Sequence, residues 1–144
     1  MADYFTQFSC HIDVGSSDNA QRALNIFTEM QRALDEEGDV TIGFEADIKP
    51  DHPSILWLRS EDGYGEPEHV IAFVLRCAEA FNLQGRWGFV WGLSCSKPRL
   101  DGFGGGAQVL DLGARSSLGW TDCEHWLAGM VDPATTPDEV FVSG

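Results

Sequence analysis

The sequence predicts an α/β (α+β) fold in which a mainly antiparallel sheet packs against two main helices. Four segments alternate apolar and polar residues, as half-buried strands do, and two other segments repeat apolar residues at helical spacing. Over residues 4–95 the resulting order is β-α-β-β-α-β, which corresponds to two split strand-helix-strand units. A C-terminal hairpin and a short helix complete the predicted fold.

The first half of this order contains three strands and one helix. Residues 4–14 alternate and predict a strand, and residues 18–37 carry an apolar stripe at helical spacing. Gly38 is a typical residue at the end of a helix. Alternation resumes over residues 40–48, and a third strand is predicted over residues 54–59.

The second half begins with Pro67, which suits the first turn of a helix whose apolar stripe runs towards Gly85. Residues 87–95 follow as the fourth strand, with their aromatic side chains expected in the core. The predicted hairpin and the capping box that opens a short last helix then follow, over residues 107–112, residues 118–120 and Thr121-Asp122-Cys123-Glu124.

Length and composition predict one domain over residues 1–131, followed by a loosely ordered tail over residues 132–144. No apolar run approaches the roughly 20 residues that cross a bilayer, and the start Met-Ala-Asp-Tyr lacks the basic and apolar regions of a signal peptide. We therefore expect a cytoplasmic protein whose four cysteines are free thiols.

The charge balance limits the kinds of partner that the chain can have. It has 23 Asp and Glu against 9 Lys and Arg, a formal net charge of −14 on 144 residues. Because so acidic a surface repels nucleic acid and anionic membranes, we expect no direct binding to either. A charged partner is expected to be basic, such as the nucleic-acid groove of another protein.

The acidic residues are concentrated between residues 29 and 68, where twelve Asp and Glu accompany three Lys and Arg. On the first helix, the spacing of Asp18 with Arg22 and of Arg32 with Glu36 predicts ion pairs that leave that face self-paired. Glu66 and Glu68 also lack such a pairing, but the helix dipole partly explains carboxylates at the start of a helix. The other carboxylates without a pairing predict a surface that binds a protein partner: Asp35, Glu37, Asp39, Glu45, Asp47, Asp51, Glu61 and Asp62.

The sheet face opposite the helices bears on the function, because His11, Asp13, Glu45 and Asp47 are expected to lie on it. This face must be covered by the C-terminal part, by a partner or by water. These side chains would also bind a hard cation if their two strands were neighbours.

A glycine-rich segment, residues 95–107, is a second candidate site. Successive glycines can point backbone amides at an anion, and basic side chains lie beside them. The alternative is a tight turn that lets strands or a neighbouring loop pack closely, with Arg99 paired to Asp101 or to another carboxylate. The candidate ligand-binding residues are Lys97, Arg99, Gly102, Gly104, Gly105 and Gly106.

Two Cys-His pairs raise the question of a zinc site: Cys10 with His11, and Cys123 with His125. Neither pair has the spacing of a standard zinc site. A Cys-His catalytic pair is equally unsupported, since no motif marks an activated nucleophile. We therefore predict no enzymatic activity, no cofactor and no metal site.

Three segments carry a resemblance to known proteins: Gly85-Arg-Trp-Gly-Phe89, Ser96-Lys-Pro-Arg-Leu-Asp-Gly-Phe-Gly-Gly-Gly-Ala107 and Gly119-Trp-Thr-Asp122. They resemble small uncharacterised acidic proteins of proteobacterial plasmids, phages and other mobile elements, over most of the chain. In size and charge only, such proteins are similar to anti-CRISPR and anti-restriction inhibitors. The resemblance implies a context and assigns no role to any residue.

The leading hypothesis is a non-enzymatic inhibitor that occupies the basic groove of a nucleic-acid-handling defence complex, with nucleic-acid mimicry as one route. The partner would be a basic nucleic-acid-binding protein or complex. Two alternatives stay open: an immunity or antitoxin protein, which would be equally acidic, and a small-molecule or anion-binding protein that uses residues 95–107. A homodimer is compatible with each of them.

Overall fold

The computed structural model describes residues 2–100, 102–132 and 142–143. These residues form three helices: α1 (Ser17–Gly38), α2 (Pro67–Phe81) and α3 (Cys123–Val131). They also form eight strands: β1 (Tyr4–Gln7), β2 (Ser9–Asp13), β3 (Glu45–Lys49), β4 (His52–Arg59), β5 (Arg86–Cys95), β6 (Gly104–Asp111), β7 (Ser116–Asp122) and β8 (Val142–Ser143).

The strands are arranged in two antiparallel sheets, which confirms the predicted mixed α and β class with mainly antiparallel pairing. The smaller sheet has the order β2-β4-β3, and the larger has the order β1-β5-β6-β7-β8. In the smaller sheet the strands before and after α1 therefore both pair with β4. The predicted hairpin is present as β6 and β7.

The segment predicted as one strand over residues 4–14 is divided between the two sheets. β1 pairs with β5, and β2 pairs with β4. The chain crosses from one sheet to the other at Phe8, which is buried and packs edge-on against Phe89 at 5.9 Å between ring centroids. Its backbone N–H donates to the Ser60 hydroxyl instead of to a strand partner. An alternating pattern does not reveal such a crossing, because both strands share the period of two.

The fourth predicted strand, β5, also lies in the larger sheet, whereas the split strand-helix-strand order favours one common sheet. Its aromatic side chains connect the two sheets. Phe89 is buried in the core, and the indole N–H of Trp87 donates to the backbone carbonyl of His11 at 2.9 Å. The open edge of β2 is thereby covered by a side chain of β5.

The helix ends follow ordinary capping rules. The Ser16 hydroxyl caps α1 by accepting from the Asn19 N–H, and α1 ends at Gly38 as predicted, with Asp39 in the left-handed conformation. Pro67 begins α2, but the helix stops at Phe81 because Asn82 adopts the left-handed conformation before Gly85 is reached.

Several predicted boundaries are shifted: β4, β6 and β7 each begin two or three residues before the predicted start. β3 begins at Glu45, not at residue 40. Part of the segment before it bonds to a side chain of α1 instead of to a strand: the Gln31 side chain accepts from the Ile42 N–H and donates to the Val40 carbonyl. The cap of α3 is Asp122, which accepts from the His125 N–H, and not Thr121. The predicted loose tail, apart from Asp132 and the backbone of β8, lies outside the described residues.

The core lies between α1, α2 and the inner face of the smaller sheet, and it extends to β5 and β6. Ile12, Leu56 and Leu58 are buried on the inner face. Phe73 of α2 packs against Phe44, which lies just before β3, with 5.4 Å between the ring centroids. The helices and the inner sheet face thus bury one another, and the outer face of the smaller sheet is left without an apolar layer.

Candidate partner-binding surface

The outer face of the smaller sheet carries polar residues in cross-strand rows. One row places His11 beside Trp57 and Trp57 beside Asp47. The next places Arg59 between Ser9 and Glu45. The strand period of two puts Asp13 on the same face, so the structure places all four side chains predicted for this face on it.

β4 separates the two strands that bear these carboxylates, and this removes the basis for a shared cation site. Strands that lie two positions apart in a sheet are roughly 10 Å apart, too far for His11 and Asp47 to ligate one ion. Within residues 2–100 and 102–132, no three His, Cys, Asp or Glu side chains are close enough to hold a metal.

Trp57 is the exposed aromatic at the middle of this face. Its side chain is held in place, although the residue is 42% exposed. The indole N–H donates to the Ser9 hydroxyl at 2.8 Å, and the Arg59 guanidinium lies over the ring. A large aromatic that is both exposed and fixed is typical of the residues that dominate protein interfaces.

Arg59 joins the sheet face to the loop that follows β4. Its guanidinium pairs with Asp47 at 2.7 Å and with Glu61 at 3.5 Å. One terminal nitrogen of this guanidinium is buried without a hydrogen-bond partner among the described residues. Arg59 therefore partly neutralises Asp47 and Glu61, and it leaves Glu45 on the same row without an ion pair in the described part of the chain.

Next to this row lies a depression of about 820 Å³, which we call the acidic cavity. Four carboxylates line it and no Lys or Arg does, and Tyr64 adds an exposed aromatic hydroxyl. The lining residues are Thr41, Ile42, Gly43, Phe44, Glu45, Glu61, Asp62, Tyr64 and Glu66.

Two backbone hydrogen bonds fix the wall of the acidic cavity. The Gly43 N–H donates to Nδ1 of His69 at 2.8 Å, and the Glu66 N–H donates to the Gly43 carbonyl at 2.9 Å. A Cβ on Gly43 would lie 2.7 Å from the Glu66 nitrogen, so the close approach of the two segments requires glycine. The start of α2 thus holds Glu66 beside the segment that leads into Glu45.

The predicted partner-binding residues are only partly brought together. Glu45, Glu61 and Asp62 line the acidic cavity, and Asp47 is connected to it through Arg59. The other four lie elsewhere: Asp35, Glu37 and Asp39 at the end of α1, and Asp51 in the turn between β3 and β4.

The predicted self-pairing of the polar face of α1 is wrong. In the described residues neither Asp18 nor Glu36 lies within ion-pair distance of an arginine. The Arg22 guanidinium instead lies 4.9 Å from the centroid of the Phe81 ring. Since long side chains on an exposed helix face choose among several contacts, spacing by four favours an ion pair only weakly.

The last four residues of the glycine-rich segment lie in a strand. Gly104, Gly105 and Gly106 lie in β6, opposite Leu93, Gly92 and Trp91. Two of them allow close packing: a Cβ on Gly105 would lie 2.5 Å from the Trp91 carbonyl oxygen, and one on Gly106 would lie 2.9 Å from the Thr121 carbonyl oxygen.

The rest of the candidate ligand-binding set lies in the turn before β6. Gly102 closes this turn by donating its N–H to the Arg99 carbonyl. Lys97 and Arg99 have exposed side chains, and no described carboxylate lies within ion-pair distance of them. The proposed pairing of Arg99 with Asp101 lies outside the described residues.

Two of the four cysteines are held in their protonated form by burial. Burial raises the pKa of Cys10 and of Cys77 to about 12, which keeps both thiols protonated and unreactive at neutral pH. All four cysteines are free, and Cys123 at the start of α3 is exposed.

Sequence reasoning missed two members of this surface, Tyr64 and Arg59, and set aside a third, Glu66. The helix dipole partly explains an acidic residue before Pro67, yet the Glu66 side chain makes no capping bond and lines the cavity instead. The one available signal was the position of Arg59, a lone basic residue among many carboxylates.

Among the described residues, no helix has both the length and the apolar composition that crossing a membrane requires. Comparison of the chain with models of protein families, with curated proteins and with solved structures found no match in any of the three. The resemblance to proteins of mobile elements stays a prediction.

Proposed function

We propose that this chain is a non-enzymatic, cytoplasmic binding protein whose acidic cavity and adjoining sheet face dock onto a basic nucleic-acid-handling protein or complex and inhibit it. One observation carries the proposal: four carboxylates converge on one cavity that no Lys or Arg lines. Arg59 pairs with one of them, Glu61, and the other three, Glu45, Asp62 and Glu66, have no ion pair in the described part of the chain. Carboxylates that converge with so little internal compensation favour the approach of basic side chains.

The charge density favours local docking over imitation of nucleic acid by the whole surface. A net charge of −14 over 8710 Å² is about one charge per 600 Å², whereas duplex DNA, treated as a cylinder of about 10 Å radius, carries about one per 100 Å². The acidic cavity and the outer sheet face concentrate charge beside a fixed aromatic, Trp57. An arginine or lysine of the partner would enter the cavity while Trp57 contacts the surrounding surface.

The anion-binding alternative has less support. Three of its glycines have their backbone in the ladder of β6, so they do not form a loop that turns amides towards a ligand. The immunity or antitoxin alternative uses the same surface and differs only in the partner. The identity of the protein that the chain binds would distinguish an immunity protein or antitoxin from an inhibitor of a defence complex.

The proposal is tested by affinity capture from lysates of cells that carry defence systems, at low and at high salt, with mass spectrometry of the bound proteins. The informative variant is the double substitution Glu45→Lys and Glu66→Lys, which reverses the charge of two side chains that line the acidic cavity. Asp62 is left unchanged because its φ of 54° is tolerated better by aspartate than by lysine.

The matched control changes the net charge by the same amount on the outer face of α1, through Gln21→Lys, Asn25→Lys and Glu36→Lys. These three side chains are exposed and make no ion pair among the described residues. We expect a basic protein to be retained at low salt by the wild type and the control, and lost by the cavity variant. Equal capture by the cavity variant would overturn the assignment of the surface.

A further inference from the structure

Gln108 is a polar side chain at a position where the strand pattern favours an apolar one. It lies in β6 between Phe89 and Trp120, on the face that buries Leu110, and it is only 8% exposed. Among the described residues it is the one buried side chain that is polar. Its amide N–H donates to the Ser117 hydroxyl, but its amide oxygen accepts no hydrogen bond from the described part of the chain. A buried acceptor without a donor lowers stability, and such a departure from the fold's own pattern is typical of a binding site.

Gln108 lines a cavity of about 480 Å³, which we call the Gln108 cavity. The larger sheet lines it on one side and the start of α2 on another. The volume falls within the roughly 300 to 1,000 Å³ that is usual for small-molecule sites. The side chains that bear on its chemistry are Glu66, Glu68, Ile71, Trp91, Gln108 and Trp120.

Contacts within the fold hold two walls of the Gln108 cavity in place. The Trp91 ring packs 5.5 Å from the Phe89 ring, and it lies so close to Gly106 that a Cβ there would overlap it. On another side, the Gly65 N–H donates to the Thr6 carbonyl at 2.9 Å. A cavity whose walls are already ordered loses little entropy when a ligand enters.

The groups around the Gln108 cavity favour a ligand that is positively charged and carries N–H donors. Two carboxylates, Glu66 and Glu68, line it without an ion pair in the described residues, and no Lys, Arg or His lines it. Trp120 is 45% exposed, and the face of an indole ring attracts cations. The start of α2 contributes roughly half a positive charge, which is less than the two carboxylates supply.

We propose that the Gln108 cavity binds a small organic amine in its protonated form. The ammonium group donates to the amide oxygen of Gln108 and lies against Trp120, Glu66 and Glu68 supply the opposite charge, and the apolar body contacts Ile71. The cavity lies between a sheet and a helix, which suits a small molecule better than a protein segment.

This site goes beyond the proposed function and is tested separately from it. Glu66 lines both cavities, whereas Gln108, Glu68 and Trp120 do not line the acidic cavity. Variants at these three positions therefore test the amine site and leave the acidic cavity unchanged.

The experiment titrates the ¹⁵N-labelled full chain at pH 7 with phenethylamine and with hexylamine, each up to roughly 10 mM, and follows the indole N–H signals of Trp91 and Trp120. We expect saturable shifts with at least one amine. The alcohol with the same body, 2-phenylethanol or 1-hexanol, should bind at least about 10-fold more weakly because it has no charge. Gln108→Leu and Trp120→Ala should each raise the Kd of the amine at least about 10-fold.

The control for Trp120→Ala is Trp126→Ala, because Trp126 is 41% exposed and does not line the Gln108 cavity. It should keep the wild-type Kd. Urea unfolding should show Gln108→Leu at least as stable as the wild type, since an acceptor without a donor is removed.

Three results would overturn the proposal. The first is the absence of a shift with either amine, and the second is equal binding of amine and alcohol. The third is a Gln108→Leu variant that is less stable but binds the amine as the wild type does, which would limit Gln108 to its bond with Ser117.

Discussion

The Arg59 guanidinium lies over the indole ring of Trp57, with 4.1 Å between its central carbon and the ring centroid. The same guanidinium pairs with Asp47 at 2.7 Å and with Glu61 at 3.5 Å. A single side chain thus fixes the exposed aromatic and connects two carboxylates from different elements. Arg59 organises the surface that we propose for partner binding.

Replacing Arg59 with alanine should destabilise the fold by about 1 to 2 kcal/mol, the sum of a partly exposed ion pair and a cation–π contact. Urea unfolding measures the change. Arg32→Ala is the control, because Arg32 is exposed on α1 and has no ion pair among the described residues. It should change the free energy of unfolding by less than about 0.5 kcal/mol. Equal effects of the two substitutions would contradict the role of Arg59.

Replacing Gly43 with alanine should destabilise the fold by about 1 to 3 kcal/mol, because the new methyl group overlaps Glu66. The hydrogen bond from the Gly43 N–H to His69 would lengthen as the two segments separate. Gly92→Ala is the matched control, since nothing lies within 4 Å of a Cβ at that strand position. Thermal unfolding should show Gly92→Ala unchanged or slightly stabilised, and a neutral Gly43→Ala would show that the cavity wall adjusts freely.

Replacing Phe73 with alanine should lower the free energy of unfolding by about 3 to 5 kcal/mol. Its ring is fully buried and lies 5.4 Å from Phe44 and 6.2 Å from Phe27, so truncation leaves a cavity among rigid neighbours. Phe103→Ala removes the same group from an exposed position and should be near neutral in urea unfolding. A decrease in the free energy of unfolding as small as that of Phe103→Ala would contradict the burial of Phe73 in the core.

The thiols should differ in reactivity towards iodoacetamide at pH 8. With a pKa of about 12, Cys10 and Cys77 would be thiolate in about 1 molecule in 10,000, whereas Cys123 is exposed. Mass spectrometry of tryptic peptides should find Cys123 labelled first, and labelling of all four in urea. Rapid labelling of Cys77 in the folded protein would contradict its burial.

The raised thiol pKa values also set the sign of an alkaline effect on stability. The ordinary pKa of 9.0 applies to the unfolded chain, so the unfolded state loses these protons before the folded state does. The free energy of unfolding is therefore unaffected by these thiols below pH 9 and decreases as the pH rises from 9 towards 12. Urea unfolding at pH 8 and at pH 10 should show the lower stability at pH 10, and Cys77→Ala should reduce that difference.

The sequence predicted most elements of the fold because apolar periodicity is a local property. α1 and α2 follow from their stripes: α2 begins at Pro67 as predicted, and α1 begins at Ser17, one residue before the predicted start. The division into two sheets was not predictable in this way. It depends on Phe8 meeting Phe89 and on Trp87 meeting the backbone of His11, which are contacts between residues far apart in sequence.

The sequence predicted that the candidate site is acidic, but it predicted only part of the set of residues that come together there. Alternation in β3 puts Glu45 and Asp47 on one face, and the structure agrees. Glu66 joins them because the Gly43 carbonyl accepts from its N–H, a contact that no residue pattern announces. Arg59 reaches Asp47 across the strand pairing and Glu61 along the chain, so its role depends on the register of β3 against β4.

The central claim is tested most directly by the association rate constant of the chain with its captured and purified partner, measured between about 50 mM and about 500 mM NaCl. The account predicts a rate that falls steeply as salt rises, and that falls at least about 10-fold at low salt when Glu45 and Glu66 are both replaced by lysine. The control with three lysines on α1 should keep most of the wild-type rate. An association rate that is indifferent both to salt and to the cavity substitutions would contradict the claim.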